Sequence, residues 1–378
     1  NMVEDGMVFY YDTGNGKSHK GEPTVNLTTD TPSQGGWSGT YDVLHSSSKT
    51  FRFNVGNFAA NPGAGWRAFT WDLRAYAGQS VTISATIEVP TASPGTFAWI
   101  MMGQTNTHTN NGTGVGTYLG YSTASERVQK TTTTKEHITW SGTVGSTGTA
   151  SQPSGHIGFT VWYNDGTPGT NSYVEVSNIQ IETKSHATPF TAGTRSTTEG
   201  LKDFLGNSTI DLTNVSFDSN AQLEFDGTDD KIDVTTNFGI LNAYTFEYVA
   251  YANSTHNMPV SSRTSTAFYK YGAYSWRYTH GGVAAEFYHT AGNGTGWAHY
   301  AITYDGSTIT VWENGISKGT RASTGTADFS GGIKIGSWAS AASYTWDGTI
   351  PIMKMYNKAL SAEEVKNHFN GIRSRFGI

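Results

Sequence analysis

Apolar and polar residues alternate along most of the chain with a period of two, the spacing that turns one face of a β-strand to a core and the other to water. Val81, Ile83, Ala85, Ile87 and Val89 alternate with Ser80, Thr82, Ser84, Thr86 and Glu88, which predicts a half-buried strand. Segments 51–55, 138–144 and 157–163 follow the same rule. In 173–182 the apolar parity changes between Val176 and Ile179, predicting a bulge or bend. The second half repeats the pattern at 223–225, 231–234, 244–251, 297–304, 308–313, 333–335 and 350–356. Asp305-Gly306 and Asn314-Gly315 end consecutive strands where a tight turn needs positive φ. One helix is expected near the C-terminus. Ser361 is placed as N-cap with Glu364 three residues on, Leu360 and Val365 form a hydrophobic staple, and Val365 and Phe369 share a face. With Gly371 as its C-terminal stop, that helix has about two turns. The expected fold class is all-β: two antiparallel β-sandwiches of jelly-roll type and one short C-terminal helix.

Composition sharpens this picture in three places. At 378 residues the chain has room for two domains, and only 14% of it is charged while 45 residues are Gly, which suits many short strands and tight turns. The net charge of -6 comes with no run of Lys or Arg, so the basic footprint of a nucleic-acid binder is absent. No apolar stretch reaches the ~18 residues of a membrane span, so no membrane insertion is expected. The chain has no Cys, which removes disulfides and thiolate metal sites. Segment 185–198 is polar, carries Pro189 and loses the alternation, so it reads as the connection between domains.

The strings LEFDGTDDKIDV (223–234), W-x-H-x-A-I-T-Y-D-G (297–306), TVWENG (310–315), IGSW (335–338) and M-Y-N-K-A-L-S-A-E-E-V (355–365) resemble a laminin-G-like, concanavalin-A-like jelly roll. MVFYYDTGN (7–15) resembles the opening strand of such a domain, which normally lies close before the LEFDG strand. The resemblance therefore implies one domain built from 1–21 plus 199–378, with first strand 7–12 beside 350–356. A second sandwich, 22–195, is inserted after that strand. The insert resembles carbohydrate-binding-module-like jelly rolls through W-D-L-x-x-Y-A-G-Q-S-V-T-I-S (71–84) and N-I-Q-I-E-x-K-S-H-A-T-P-F (178–190). The latter string and the tail V-K-N-H-F-N-G-I-R-S-R-F-G-I (365–378) resemble virion proteins of tailed bacteriophages.

A glycoside hydrolase needs two carboxylates across the scissile bond. Glu224-x-Asp226 begins the laminarinase-type strand motif, but its third Glu is missing, and Glu247 has no acidic partner two or four residues on. The eleven histidines show no H-E-x-x-H spacing, and His299 is expected to be a hydrogen-bonded framework residue. No catalytic residues are assigned. Asp226, Asp229 and Asp230 crowd one turn with hard oxygen donors, so calcium is the one candidate cofactor, although an Asp-Gly turn also uses such carboxylates to hold backbone N–H groups. For glycans, Trp162 is expected on a polar face with His156, and Trp66 and Trp71 beside a loop end of the insert. Tyr274, Trp276 and Tyr278 share a strand face that is expected to be core. Together these features point to a non-enzymatic virion surface protein, a capsid decoration or tail-associated module. Its expected partners are other virion proteins, host surface glycans and further copies of itself. A secreted or cell-surface bacterial carbohydrate-binding module or adhesin is the alternative, and a glycoside hydrolase ranks third.

Overall fold

The computed structural model describes residues 4–29, 33–36, 49–54, 65–88, 97–104, 108–110, 115–117, 127–130, 135–146, 155–163, 173–220, 222–263, 266–271, 275–280, 283–288, 294–338 and 344–378. The chain is mostly strand, in multiple antiparallel sheets, with one C-terminal helix. It divides into two compact units: Asn1–Pro23 with Ser196–Ile378, and Thr24–Arg195.

The first unit is a sandwich of two large sheets. One has eight strands, in the order Ser216–Phe217, Leu223–Asp226, Asp347–Tyr356, Tyr244–Ala252, Gly296–Tyr304, Thr308–Glu313, Ile316–Ala322, with Met7–Asp12 also paired to Asp347–Tyr356. The register sets Phe9 against Met355 and Tyr11 against Met353 across some 340 residues of chain, and Tyr11 donates its hydroxyl to the Ile350 carbonyl at 2.8 Å, |i−j| 339. The other sheet has seven strands: Thr209–Asn214, Lys231–Thr235, Ile333–Ile335, His256–Ser262, Ala267–Tyr271, Ser275–His280 and Val283–Tyr288. Alternation works as it must in such a sandwich. Phe246, Tyr248, Tyr300, Ile302 and Met353 point inward from the first sheet and meet Ile232, Val234, Val260, Phe268 and Ile335 from the second. The hairpin between Thr308–Glu313 and Ile316–Ala322 turns on Asn314 (φ 51°) and Gly315 (φ 74°), the pair of left-handed residues that a two-residue turn requires.

The second unit stacks a five-stranded sheet (Arg127–Lys130, Phe97–Gln104, His156–Tyr163, Gly65–Asp72, Ser33–Gly36) and a four-stranded one (Glu136–Thr143, Ser80–Glu88, Tyr173–Glu182, Phe51–Asn54) around its own core. In Tyr173–Glu182 the register against Ser80–Glu88 shifts between Ser177 and Gln180, with Asn178 at φ 53°. That is the bulge implied by the parity change.

Both units are closed at the points where the chain passes between them. In the first, His19 bridges Leu201 and Lys20 donates its N–H to the Gly200 carbonyl. In the second, Thr24 pairs with Arg195 and Val25 with Thr194. Segment 185–198 is not a slack connection. The Glu182 carboxylate, fully buried, accepts from the Thr188 N–H and hydroxyl, the Gln180 amide and the Thr24 hydroxyl, so the run to Arg195 is folded into the second unit. Thr188, buried at 5%, ties this mostly exposed or half-buried segment into that network.

The helix also differs from expectation. It spans Ala362–Phe376, 15 residues, and ends on Gly377 in the left-handed conformation (φ 69°). Gly371 lies inside it, because the face carrying Val365, His368, Phe369, Ile372 and Phe376 continues for two turns more and tertiary burial outweighs one glycine's propensity cost. The start is as read: the Ser361 hydroxyl accepts from the Glu364 N–H and the Glu364 carboxylate from the Ser361 N–H. No helix among the described residues is long and apolar enough to cross a membrane.

Candidate functional site

Residues facing away from the core on the eight-stranded sheet lie under the helix, and the central acid there is Glu247. It is 1% exposed and takes three cationic or N–H partners from three different elements. Oε1 accepts from His299 Nε2 at 2.9 Å and from Lys354 Nζ at 3.3 Å, and Oε2 accepts from His368 Nδ1 at 2.7 Å. The opposite ring nitrogen of His299, Nδ1, is buried with no hydrogen-bond partner, so the hydrogen belongs on Nε2. Burial alone would raise the Glu247 carboxyl. The Lys354 charge and the hydrogen bonds from His299 and His368 outweigh that and hold it well below the usual carboxylate range. A general acid for glycoside cleavage needs the opposite displacement and an open face. Around this centre the helix is fixed at both ends. Leu360 and Val365 pack with Tyr356 and Ala301, while Arg375 forks onto Asp12 with two contacts of 2.7 Å. Local sequence offers no signal for the cluster, since the partners of Glu247 lie 52, 107 and 121 residues away.

The structure does bring Asp226, Asp229 and Asp230 together, with ligand atoms within 4.8 Å of one another. Three of their six oxygens accept hydrogen bonds. Asp226 Oδ1 accepts from the N–H groups of Thr228 and Asp229, Asp230 Oδ2 from the Asp226 N–H, and Asp230 Oδ1 from the Ser216 hydroxyl. Burial pushes the Asp230 carboxyl up despite those donors. The donor chemistry suits calcium, but seating an ion would compete with backbone hydrogen bonds already made.

The aromatic candidates of the insert fare differently. Trp71 is 3% exposed, packs beside Phe51 and Phe159 and donates Nε1–H to the Thr29 carbonyl at 3.0 Å, so it is a core residue and offers no ring to a sugar. Trp66 and Trp71 both belong to the strand Gly65–Asp72, and strand parity sends Trp71 inward with Phe69. His156 is buried too, at 5%, and Thr160 at 0%, so the face read as polar is not a solvent face over its described length. Backbone register sets Trp162 opposite Trp66 on one neighbouring strand and opposite Trp99 on the other; the side chains of these three fall outside the described residues. Tyr278 is buried as expected at 6%, whereas Tyr274 and the Trp276 side chain also lie outside the description.

The model of the concanavalin A-like lectin/glucanases superfamily matches residues 226–366. Among curated proteins, none matches. Solved structures similar to the chain include the binding domain of botulinum neurotoxin DC in complex with rat synaptotagmin II (12% identity, 47% of this chain and 50% of that one, TM-score 0.35). The binding domain of botulinum neurotoxin serotype D (12%, 47% and 49%, 0.36) is another. The binding domain of Paraclostridial Mosquitocidal Protein 1 (15%, 45% and 49%, 0.34) is a third. The chain spans about half the length of these structures. Residues 226–366 are thus similar to the concanavalin A-like lectin/glucanases superfamily, and the two-sheet sandwich of the first unit agrees with that match.

Proposed function

We propose that the chain is a non-enzymatic adhesive protein of a tailed-phage virion surface, a capsid-decoration or tail-associated module that binds other virion proteins and host-surface glycans. The superfamily by its name holds both lectins and glucanases. The observation that favours the lectin side is Glu247: among the described residues, the acid at the centre of the outer sheet face is covered by the helix, tied to Lys354, His299 and His368, and held as a carboxylate. This supports work by surface contact rather than bond cleavage. The virion setting draws its support from the strings at 178–190 and 365–378.

Two measurements test the reading. Mass spectrometry of purified particles should find the chain at stoichiometric abundance with other capsid or tail proteins, and its presence only in culture medium would favour the secreted bacterial module. Incubation with β-glucans and bacterial polysaccharides should release no reducing sugar, and turnover dependent on Glu247 would overturn the non-enzymatic reading.

A further inference from the structure

Beyond the end of the helix, the same outer sheet face carries an aromatic row. Trp297, Tyr251 and Thr349 stand opposite one another on three adjacent strands, and strand parity puts them on the face that holds Glu247 and His299. The Tyr251 and Trp297 rings meet edge to face at 5.4 Å, and Phe376 from the last helical turn lies 4.9 Å from Trp297. Tyr251 is 37% exposed, Trp297 and Phe376 are half-buried, and none of the three belongs to a hydrophobic core cluster.

One position further along, the face turns polar. Exposed Asn253 donates its amide to Asp347 Oδ1 at 2.9 Å, and Asp347 stands opposite Asp226 in the neighbouring strand. The backbone beneath is held in place. Gly348 adopts φ +127°, where a Cβ would strike the Tyr251 carbonyl, and Trp346 donates Nε1–H to that same carbonyl at 3.2 Å.

We propose that this row is a glycan-binding site for neutral, hydroxyl-rich sugars. It rests on the adhesive reading above and names the place on the molecule where that reading acts. A pyranose lays its C–H face on the exposed ring of Tyr251, with Trp297 and Phe376 extending the platform. Its hydroxyls donate to the Asp347 carboxylate and the Thr349 hydroxyl and accept from the Asn253 amide. Asp226 and Asp347 facing each other, with Asp229 and Asp230 next in the turn, make the rim rich in acceptors and negative charge. That favours alcohol donors and opposes carboxylated or sulfated sugars. Three partly covered rings offer an area on the order of a few hundred Å², well below the ~800 Å² per partner of a stable protein interface, so a sugar fits where a protein does not.

The test uses the full chain, wild type and the variants Tyr251→Ala and Asn253→Ala, on a printed array of neutral and sialylated oligosaccharides. Titration with the best soluble glycan and thermal unfolding of each protein follow. Wild type is expected to prefer neutral glycans, with each variant at least tenfold weaker while still unfolding in one cooperative transition only slightly below wild type, because neither side chain belongs to a core cluster. If the wild type binds and both variants bind equally well, this site is wrong while the adhesive reading stands. Preference for sialylated glycans overturns the acceptor-rim argument, and Tyr251-dependent dimerisation assigns the row to self-association instead. If the wild type binds nothing on the array, the glycan part of the adhesive reading fails as well.

Discussion

His368 Nδ1 lies 2.7 Å from Glu247 Oε2, a contact between residues 121 apart that fastens the C-terminal helix to the middle of a β-sheet. Removing the acid leaves the buried Lys354 ammonium uncompensated. Glu247→Ala is therefore expected to cost ~3–5 kcal/mol in urea unfolding, while His368→Ala, which removes one hydrogen bond to a charged group, should cost ~1.5–3 kcal/mol. Hydrogen exchange should show the helix opening more readily in both.

The same carboxyl sets an acid limb. Its folded-state pKa is well below its ordinary value, so it contributes stability that is complete above about pH 5 and is lost as pH falls toward the depressed value. Glu247→Gln should lower stability at pH 7 and flatten the decline between about pH 5 and pH 3. An unchanged acid limb would mean other groups carry it.

Lys270 points into the first sandwich, where its ammonium donates to the Tyr300 hydroxyl at 2.9 Å and lies near Glu313. Desolvation brings its pKa down from 10.5 to about 8, with the Glu313 charge opposing. Between those values the unfolded chain binds more protons than the folded one, so stability should rise with pH from about 8 toward 9.5, approaching ~1.4 kcal/mol per pH unit for one proton. Above pH 10 the raised tyrosines reverse the trend, Tyr10 for example at about 12, because the unfolded chain then releases protons first. Lys270→Met should abolish the rise between pH 8 and 9.5 in denaturant titrations.

Trp71→Ala should behave as a core truncation, costing ~3–5 kcal/mol and shifting a calorimetric transition of the insert alone. Glycan binding at Tyr251 should persist at temperatures where the variant insert remains folded. Loss of binding without loss of stability would restore Trp71 as a contact residue.

Calcium is expected to leave the unfolding midpoint unchanged, since three of the six oxygens of Asp226, Asp229 and Asp230 already accept hydrogen bonds. A calcium-dependent rise, lost in Asp229→Asn and on chelation, would place an ion in that turn.

Period-two alternation, Asn314-Gly315, the parity change before Ile179 and the Ser361 cap were all readable from neighbouring residues, because each is enforced by backbone geometry over a few positions. The partners of Glu247 and the row through Trp297, Tyr251 and Thr349 were not, because register between strands far apart in the chain decides which side chains meet. Trp71 and His156 mark the same limit on exposure. Alternation tells that two faces differ, but whether the second face meets water depends on what the rest of the fold lays over it. The helix shows it for length: its start was set by a cap within four residues, its end by how far the sheet beneath continued to bury its apolar side.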